Sequence, residues 1–391
     1  MDFGPVNTVV SSNFIDKVRF RASAQTTANL SPHLFLKGYA AYGVRDKKWK
    51  YEGEVEYSFL KKQYSPEEFP RNSIAISTRY DVMAPSDAML PTDKDNVFTS
   101  LKTQTIDQMS YFRQYNIRYV YEFDNHFGIT AQLRHITQNP TGTLFYRTVG
   151  GQMVPELTQS EATLSLRYAP GEKVVVTKQR RHPVNHNYPI YTLMHTTGFK
   201  DVLGGDYASN YTELSVTKRF WLNSYGRIDI YGRAGAQWNR VPFPLLITPA
   251  ANNSYIIQRS MFNMINNMEF MNDRFVSLDV QWDLSGKLFN RIPLLKHLKW
   301  REVIGFKTLY GTLTDKNNPF KQGSQSNLFE FPSRNGQPTS FVMGDTPYME
   351  LNVGIHNIFK ILRVDYVRRL NYLNAPNAKK NGVRFVLQFD F

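Results

Sequence analysis

Eight histidines, 33 carboxylates and 47 lysines and arginines supply polar groups in plenty, so spacing decides what they can do. No His-Glu-x-x-His or other metal-ligand spacing occurs, and no Gly-x-Ser-x-Gly elbow or phosphate-cradling glycine loop. Asp124 and His126 are neighbours, but adjacency in a turn is not a catalytic arrangement. The absence of cysteine excludes thiol catalysis, cysteine-ligated metals and disulfide scaffolds. The expectation is a non-enzyme without cofactor or metal. Two other groupings stand out. Lys178, Arg180 and Arg181, with Lys173 and His182, form a basic stretch that suits lipid phosphates or an anionic partner, or is simply a solvated loop. Arg259 lies between the apolar run Pro242–Ile247 and a second run containing Met261, Phe262, Met264, Ile265, Met268, Phe270 and Met271, with Glu269 among them. A loop this apolar is costly in water, so it is expected to pack inside the molecule or against a partner.

The elements that must hold these residues read as strands. From Trp49 to Phe59, Trp49, Tyr51, Gly53, Val55, Tyr57 and Phe59 alternate with Lys50, Glu52, Glu54, Glu56 and Ser58. Tyr115, Ile117, Tyr119, Tyr121 and Phe123 alternate with a more polar set, and Val276, Leu278, Val280 and Trp282 alternate with Ser277, Asp279, Gln281 and Asp283. A soluble sandwich turns its polar faces to water, whereas a membrane barrel turns them to its lumen and shows lipid the apolar set. Two details favour the barrel. The segments reach the roughly 9 to 11 residues a tilted strand needs to cross a bilayer, and aromatics sit at their ends, where interfacial girdles fall. No window approaches the roughly 18 apolar residues of a membrane helix.

Strands are expected near residues 5–12, 17–25, 33–43, 49–60, 73–83, 111–124, 127–137, 160–169, 188–197, 209–220, 226–238, 274–285, 301–312, 347–356, 361–372 and 382–391. That is about 16, the even number a single-chain barrel requires. Short turns at 124–126, 222–226 and 357–360 then fall on the periplasmic side, and the long links 84–110, 138–159, 239–273 and 313–346 fall outside. The link 170–187 breaks the pattern, being long and inside. The last segment places Val383, Phe385, Leu387, Phe389 and Phe391 on one face, and its expected neighbour across a first-to-last seam carries Val6 and Val9. In this frame the apolar loop 239–273 becomes an inward-folded plug, with Arg259 and Phe262 in the lumen and Arg259 paired to inward carboxylates such as Asp279 or Asp283. The bland alternative is a surface cap with Arg259 solvated. Ile292–Lys299 is expected as a short helix at the inner interface, docking a partner or merely sealing the barrel base.

Several stretches resemble one known family: Ala40-Ala41-Tyr42-Gly43 with Asp46-Lys47-Lys48-Trp49-Lys50-Tyr51, Met268–Phe275, Arg291–Lys296, and Pro347-Tyr348-Met349-Glu350 leading to Gly354–Lys360. They resemble, in order along nearly the whole chain, the C-terminal barrel of the Bacteroidota outer-membrane family of unknown function number 5686. Its members carry an N-terminal carboxypeptidase-regulatory-like domain, so the resemblance implies that a signal peptide and periplasmic region are missing here. Met1–Pro5 has none of the features of a signal peptide. More distantly, the order of elements from residue 226 onward is similar to the BamA/TamA-like superfamily of insertases and translocation pores. That superfamily holds a Val-Arg-Gly-Phe/Tyr motif in a loop inside its lumen. Ile257–Phe262 is the corresponding stretch, with Arg259 and Phe262 at the motif's arginine and aromatic, but the glycine is absent and the spacing is off by one.

The expectation is one all-β domain over 1–391: a transmembrane antiparallel β-barrel of about 16 strands in the bacterial outer membrane, among lipid and lipopolysaccharide. Its function, implied chiefly by the superfamily resemblance, is an insertase- or translocation-type barrel working with envelope assembly partners. The alternatives are a diffusion channel or transporter pore, and a non-conducting barrel anchoring a periplasmic domain. A net charge of +14 invites nucleic acid, but there is no recognition helix or zinc spacing and the basic residues are dispersed.

Overall fold

The computed structural model describes residues 1–89, 93–176, 181–184, 186–258, 260–321 and 327–387. One antiparallel sheet runs through the whole chain, each strand pairing with the next. Its first two segments, Asp2–Phe3 and Val10–Ser11, both pair with Arg19–Gln25 and form one interrupted strand, β1. The others are β2 (Arg19–Gln25), β3 (Leu34–Gly43), β4 (Trp49–Ser58), β5 (Asn72–Met83), β6 (Gln108–Glu122), β7 (Phe127–Gly142) and β8 (Leu157–Tyr168). They continue with β9 (Ile190–Phe199), β10 (Ser209–Trp221), β11 (Arg227–Gln237), β12 (Arg274–Asp283), β13 (Arg301–Thr312), β14 (Tyr348–Ile358), β15 (Leu362–Arg369) and β16 (Asn381–Leu387). The count of 16 agrees with the alternation of the sequence. No helix among the described residues is long and apolar enough to cross a membrane.

The burial pattern is inverted relative to a water-soluble protein. On β4, Trp49, Tyr51, Val55 and Tyr57 are exposed while Lys50, Glu56 and Ser58 are buried. On β6, Tyr115, Ile117 and Tyr119 face out and Asn116 faces in. Such a sheet is stable only if apolar surroundings cover its outside. Aromatic rings run across several strands at one rim: Tyr57, Phe59 and Tyr119 form edge contacts at 5.4 and 6.5 Å, and Tyr121, Phe123, Phe127 and Tyr168 continue at 4.6, 5.8 and 6.4 Å. These amphipathic rings suit the boundary between hydrocarbon and headgroups.

That rim carries the short turns 123–126, 222–226 and 359–361, together with the link 169–189, in which Val174–Val176 pairs with Arg181–Pro183. It also carries α1 (Pro293–Leu298), whose Leu294 and Leu298 are exposed. The long links 84–107, 143–156, 238–273 and 313–347 emerge at the opposite rim.

One expectation is corrected. β1 is not a continuous strand over 5–12, because Pro5 has no N–H to give to a ladder and Val6–Thr8 turn as a 3-10 helix. Val6 lies in that turn, Val9 just after it, and neither is paired with β16. Val383 and Phe385 are in β16, whereas Phe389 and Phe391 lie outside the described residues. Among the described residues, β1 and β16 share no strand pairing.

Candidate functional site: the plug and the seam

The link 238–273 fills the interior. Val241, Phe243, Leu246, Met268 and Met271 are buried against Leu144, Tyr146, Leu157, Phe329 and Phe331 from other long links and the wall. A second cluster joins Ile247, Ala251, Phe262, Ile265 and Phe270 to Phe275, Leu309, Met343 and Tyr348. Burial of each large apolar side chain contributes about 1.5–3 kcal/mol, which is why a loop of this composition folds inward.

The wall grips the plug mainly by its backbone. Glu350 on β14 is buried and accepts from the backbone N–H of Asn263 at 2.9 Å and of Met264 at 3.0 Å, as well as from the Tyr348 hydroxyl at 3.0 Å. Lys307 on β13 donates to the Met261 carbonyl at 2.6 Å. Arg384 on β16 donates to the Asn263 carbonyl, and Arg369 on β15 donates to the Met264 carbonyl at 3.2 Å. Arg369 also pairs with Glu269 of the plug at 2.6 Å, both side chains being buried. Four adjacent strands thus converge on one plug turn.

Of the residues expected in the lumen, Phe262 and Glu269 are there, the former edge-on to Tyr348 at 5.7 Å. Arg259 lies outside the described residues. Asp279 and Asp283 already have partners: Lys307 at 3.0 Å for the first, and His356 at 3.2 Å and Arg227 at 3.3 Å for the second. Lys307 and Arg227 stand directly opposite them on neighbouring strands. With Arg363 and Asp365 these groups line a cavity of about 240 Å³, which ends against Ile257, Ser260 and Asn263 of the plug. The residues that hold the plug, Lys307, Glu350, Arg369 and Arg384, are not among the sequence-derived candidates. Their signal is present, since each is a charged residue at an inward strand position.

A second set of charges lies in the N-terminal wall. Arg19 on β2 is fully buried and pairs with Asp81 of β5 at 2.6 Å and with Asp95 of the link 84–107 at 3.1 Å. Arg21 holds Asp93 at 2.7 Å and Asp95 at 3.0 Å, and Lys94 reaches Asp81 at 3.1 Å. Burial works to raise Asp93, but Arg21 outweighs it and holds the carboxyl below its ordinary range. Nearby, Lys50 bridges Asp16 and Asp46. A Cβ on Gly43 would collide with all three of these side chains, which gives the family-like stretch around Gly43 a physical reason. Gly354 likewise leaves room for the Asp365 carboxylate.

Between β1 and β16 the wall is completed by two loop segments. Val97 N–H donates to the Asn7 carbonyl at 2.8 Å, and Ser12 N–H to the Ser100 hydroxyl at 3.0 Å. Thr103 N–H donates to the Asn253 carbonyl at 2.8 Å, and Tyr255 N–H to the Leu101 carbonyl at 2.9 Å. Phe385 N–H then donates to the Tyr255 carbonyl at 2.8 Å, and Ile257 N–H to the Phe385 carbonyl at 2.7 Å. Main-chain and side-chain bonds therefore span the gap, while Phe98, Leu101 and Tyr255 continue the exposed apolar surface.

In the basic stretch, Arg181 is committed to Glu122 at 2.8 Å and Glu172 at 3.2 Å, so it is not a free anion-binding group. Burial opposes ionisation of Glu172, yet Arg167 and Arg181 hold it below its usual range. Lys178 and Arg180 lie outside the described residues.

The inverted sheet, the aromatic rim and the plugged interior define an outer-membrane-type β-barrel. The chain belongs to the family of unknown function DUF5686, whose C-terminal domain profile matches residues 3–320. Among solved structures it is similar to BamA from Haemophilus ducreyi lacking POTRA domains 1–3, with a TM-score of 0.59 at 8% identity over 96% of this chain and 69% of that one. It also matches CdiB from Acinetobacter baumannii, with a TM-score of 0.47 at 10% identity over 96% of this chain and 57% of that one. OccK11 (OpdR) from Pseudomonas aeruginosa matches with a TM-score of 0.31 at 8% identity over 94% and 87%. No curated protein sequence matches.

Proposed function

We propose that the protein resides in the bacterial outer membrane as a non-enzymatic insertase- or translocation-type barrel that assists outer-membrane protein or envelope assembly. The observation that carries this reading is the seam. β16 meets a loop rather than β1, and Phe385 is the β16 residue whose seam-facing N–H and C=O are both satisfied by that loop. Unpaired backbone in hydrocarbon costs several kcal/mol per group, so a wall closed by a few loop contacts is where opening loses least. An edge freed there accepts an extended strand through main-chain hydrogen bonds, and lipid-facing pockets select alternate apolar side chains. The filled interior supports the same reading over a diffusion pore, which needs an open path.

The test is depletion followed by an outer-membrane proteome, paired with conductance in planar bilayers. Loss of other barrel proteins with little conductance supports assembly. Large steady conductance with an unchanged proteome would replace it with a channel whose selectivity follows the charged cavity around Arg227, Lys307 and Arg363.

A further inference from the structure

Resting on the assembly reading, we propose that the seam is a two-part latch that parts between Leu101–Thr103 and Asn253–Tyr255, so that one part travels with each wall. The two parts are anchored on opposite sides. The link 84–107 is bound to β2 and β5 through ion pairs of Asp93, Lys94 and the buried Asp95, and Val97 and Ser100 hold β1. The plug is bound to β13–β16 through Lys307, Glu350, Arg369 and Arg384, close in sequence to the segment that meets Phe385. Charge-assisted hydrogen bonds are roughly twice as strong as neutral ones.

Where the two parts meet, the bonds are chiefly neutral. They are the two main-chain bonds of Thr103 and Tyr255, the Gln104 amide on the Asn253 side chain at 2.7 Å, the Ser254 hydroxyl on the Phe98 carbonyl at 3.4 Å, and Ser86 and Gln108 contacts to Asn253 and Asn267. Two cations cross: Lys379 donates to the Thr103 carbonyl, and Arg334 of the link 313–347 pairs with Asp107. Parting at β16 would also strain the Arg384 and Glu350 grips, and parting at β1 would strain those of Arg19 and Arg21. The line between the loops is therefore the weakest. Once it opens, the Tyr255 N–H and the Asn253 carbonyl lose their partners. The accepting edge for an incoming apolar-alternating strand is then the plug segment rather than β16 itself.

The chain has no cysteine, so introduced pairs report on one junction each. Lys102 and Ser254 form an antiparallel bridge. Because the bonds come from their neighbours, it is the non-hydrogen-bonded kind, with Cα atoms about 4.5 Å apart and within disulfide reach. In cells depleted of the native copy, oxidised Lys102→Cys/Ser254→Cys should fail to restore the outer-membrane proteome, and reductant should recover it. Oxidised Ile256→Cys/Phe385→Cys, which ties the plug to β16, should restore it with or without reductant. A harmless 102–254 disulfide, or a loss caused by the 256–385 disulfide alone, overturns the latch. If depletion of the native protein leaves the proteome unchanged, the assembly reading fails instead, and the latch is judged by backbone hydrogen exchange in lipid. Faster exchange at Thr103 and Tyr255 than at Ile257 and Phe385 supports it, and the reverse order overturns it.

Discussion

The two walls bordering the seam bury charge in different ways. In the N-terminal wall, side chain meets side chain: Arg19, Arg21 and Lys94 answer Asp81, Asp93 and Asp95. In the C-terminal wall, Glu350, Lys307 and Arg384 answer main-chain N–H and C=O groups of the plug, and the Arg369–Glu269 pair is the exception. The first arrangement depends on which residues the loop carries. The second depends on the path of its backbone, and so tolerates a changing plug sequence while being intolerant of changes in the wall.

The largest effect should follow removal of a backbone grip. Glu350→Ala leaves the Asn263 and Met264 N–H groups and the Tyr348 hydroxyl without their buried acceptor, and should cost about 3–5 kcal/mol in detergent unfolding. Asn263→Ala keeps the gripped N–H and C=O and should cost only about 1 kcal/mol. Equal costs would break the distinction between the walls. Asp81→Asn comes next at about 1–3 kcal/mol, because Arg19 retains Asp16 and Asp95. A smaller effect is expected from acid. Asp93 is depressed, so its contribution is fully present above the ordinary carboxylate value and is lost as pH falls through its lower folded value. Protease sensitivity of the link 84–107 should be flat from neutral pH to about 5 and rise below about 4, and Asp93→Asn should reduce that rise. The smallest change is Arg147→Ala, which removes an exposed pair with Glu330 and should shift the thermal midpoint hardly at all, worth at most about 0.5 kcal/mol.

The strand count and the two unequal rims were legible because alternation over ten residues is a property of each segment alone. The apolar plug was legible for a similar reason, since Phe243, Phe262 and Met271 have no place in water. Its partners were not. A carboxylate that binds a peptide N–H leaves no complementary residue to find, so Glu350 has no counterpart in the plug sequence. The cations that answer Asp279 and Asp283, Lys307 and Arg227, were not legible either, because they lie far away in the chain and are brought opposite only by strand register. The seam failed for a local reason, Pro5, and a distant one, the arrival of residues 97–103 and 253–257 between the two end strands.

That arrival has a kinetic consequence. Closure brings together Asn7, Val97, Leu101, Tyr255 and Phe385, positions spread over almost the entire chain. Neighbouring hairpins can form as soon as their own residues are present, but the last contacts must wait for the entropy of very long loops to be overcome. The wall should therefore finish late and in one step with the packing of its interior, so that a variant slow to bury residues 243–271 is also slow to seal.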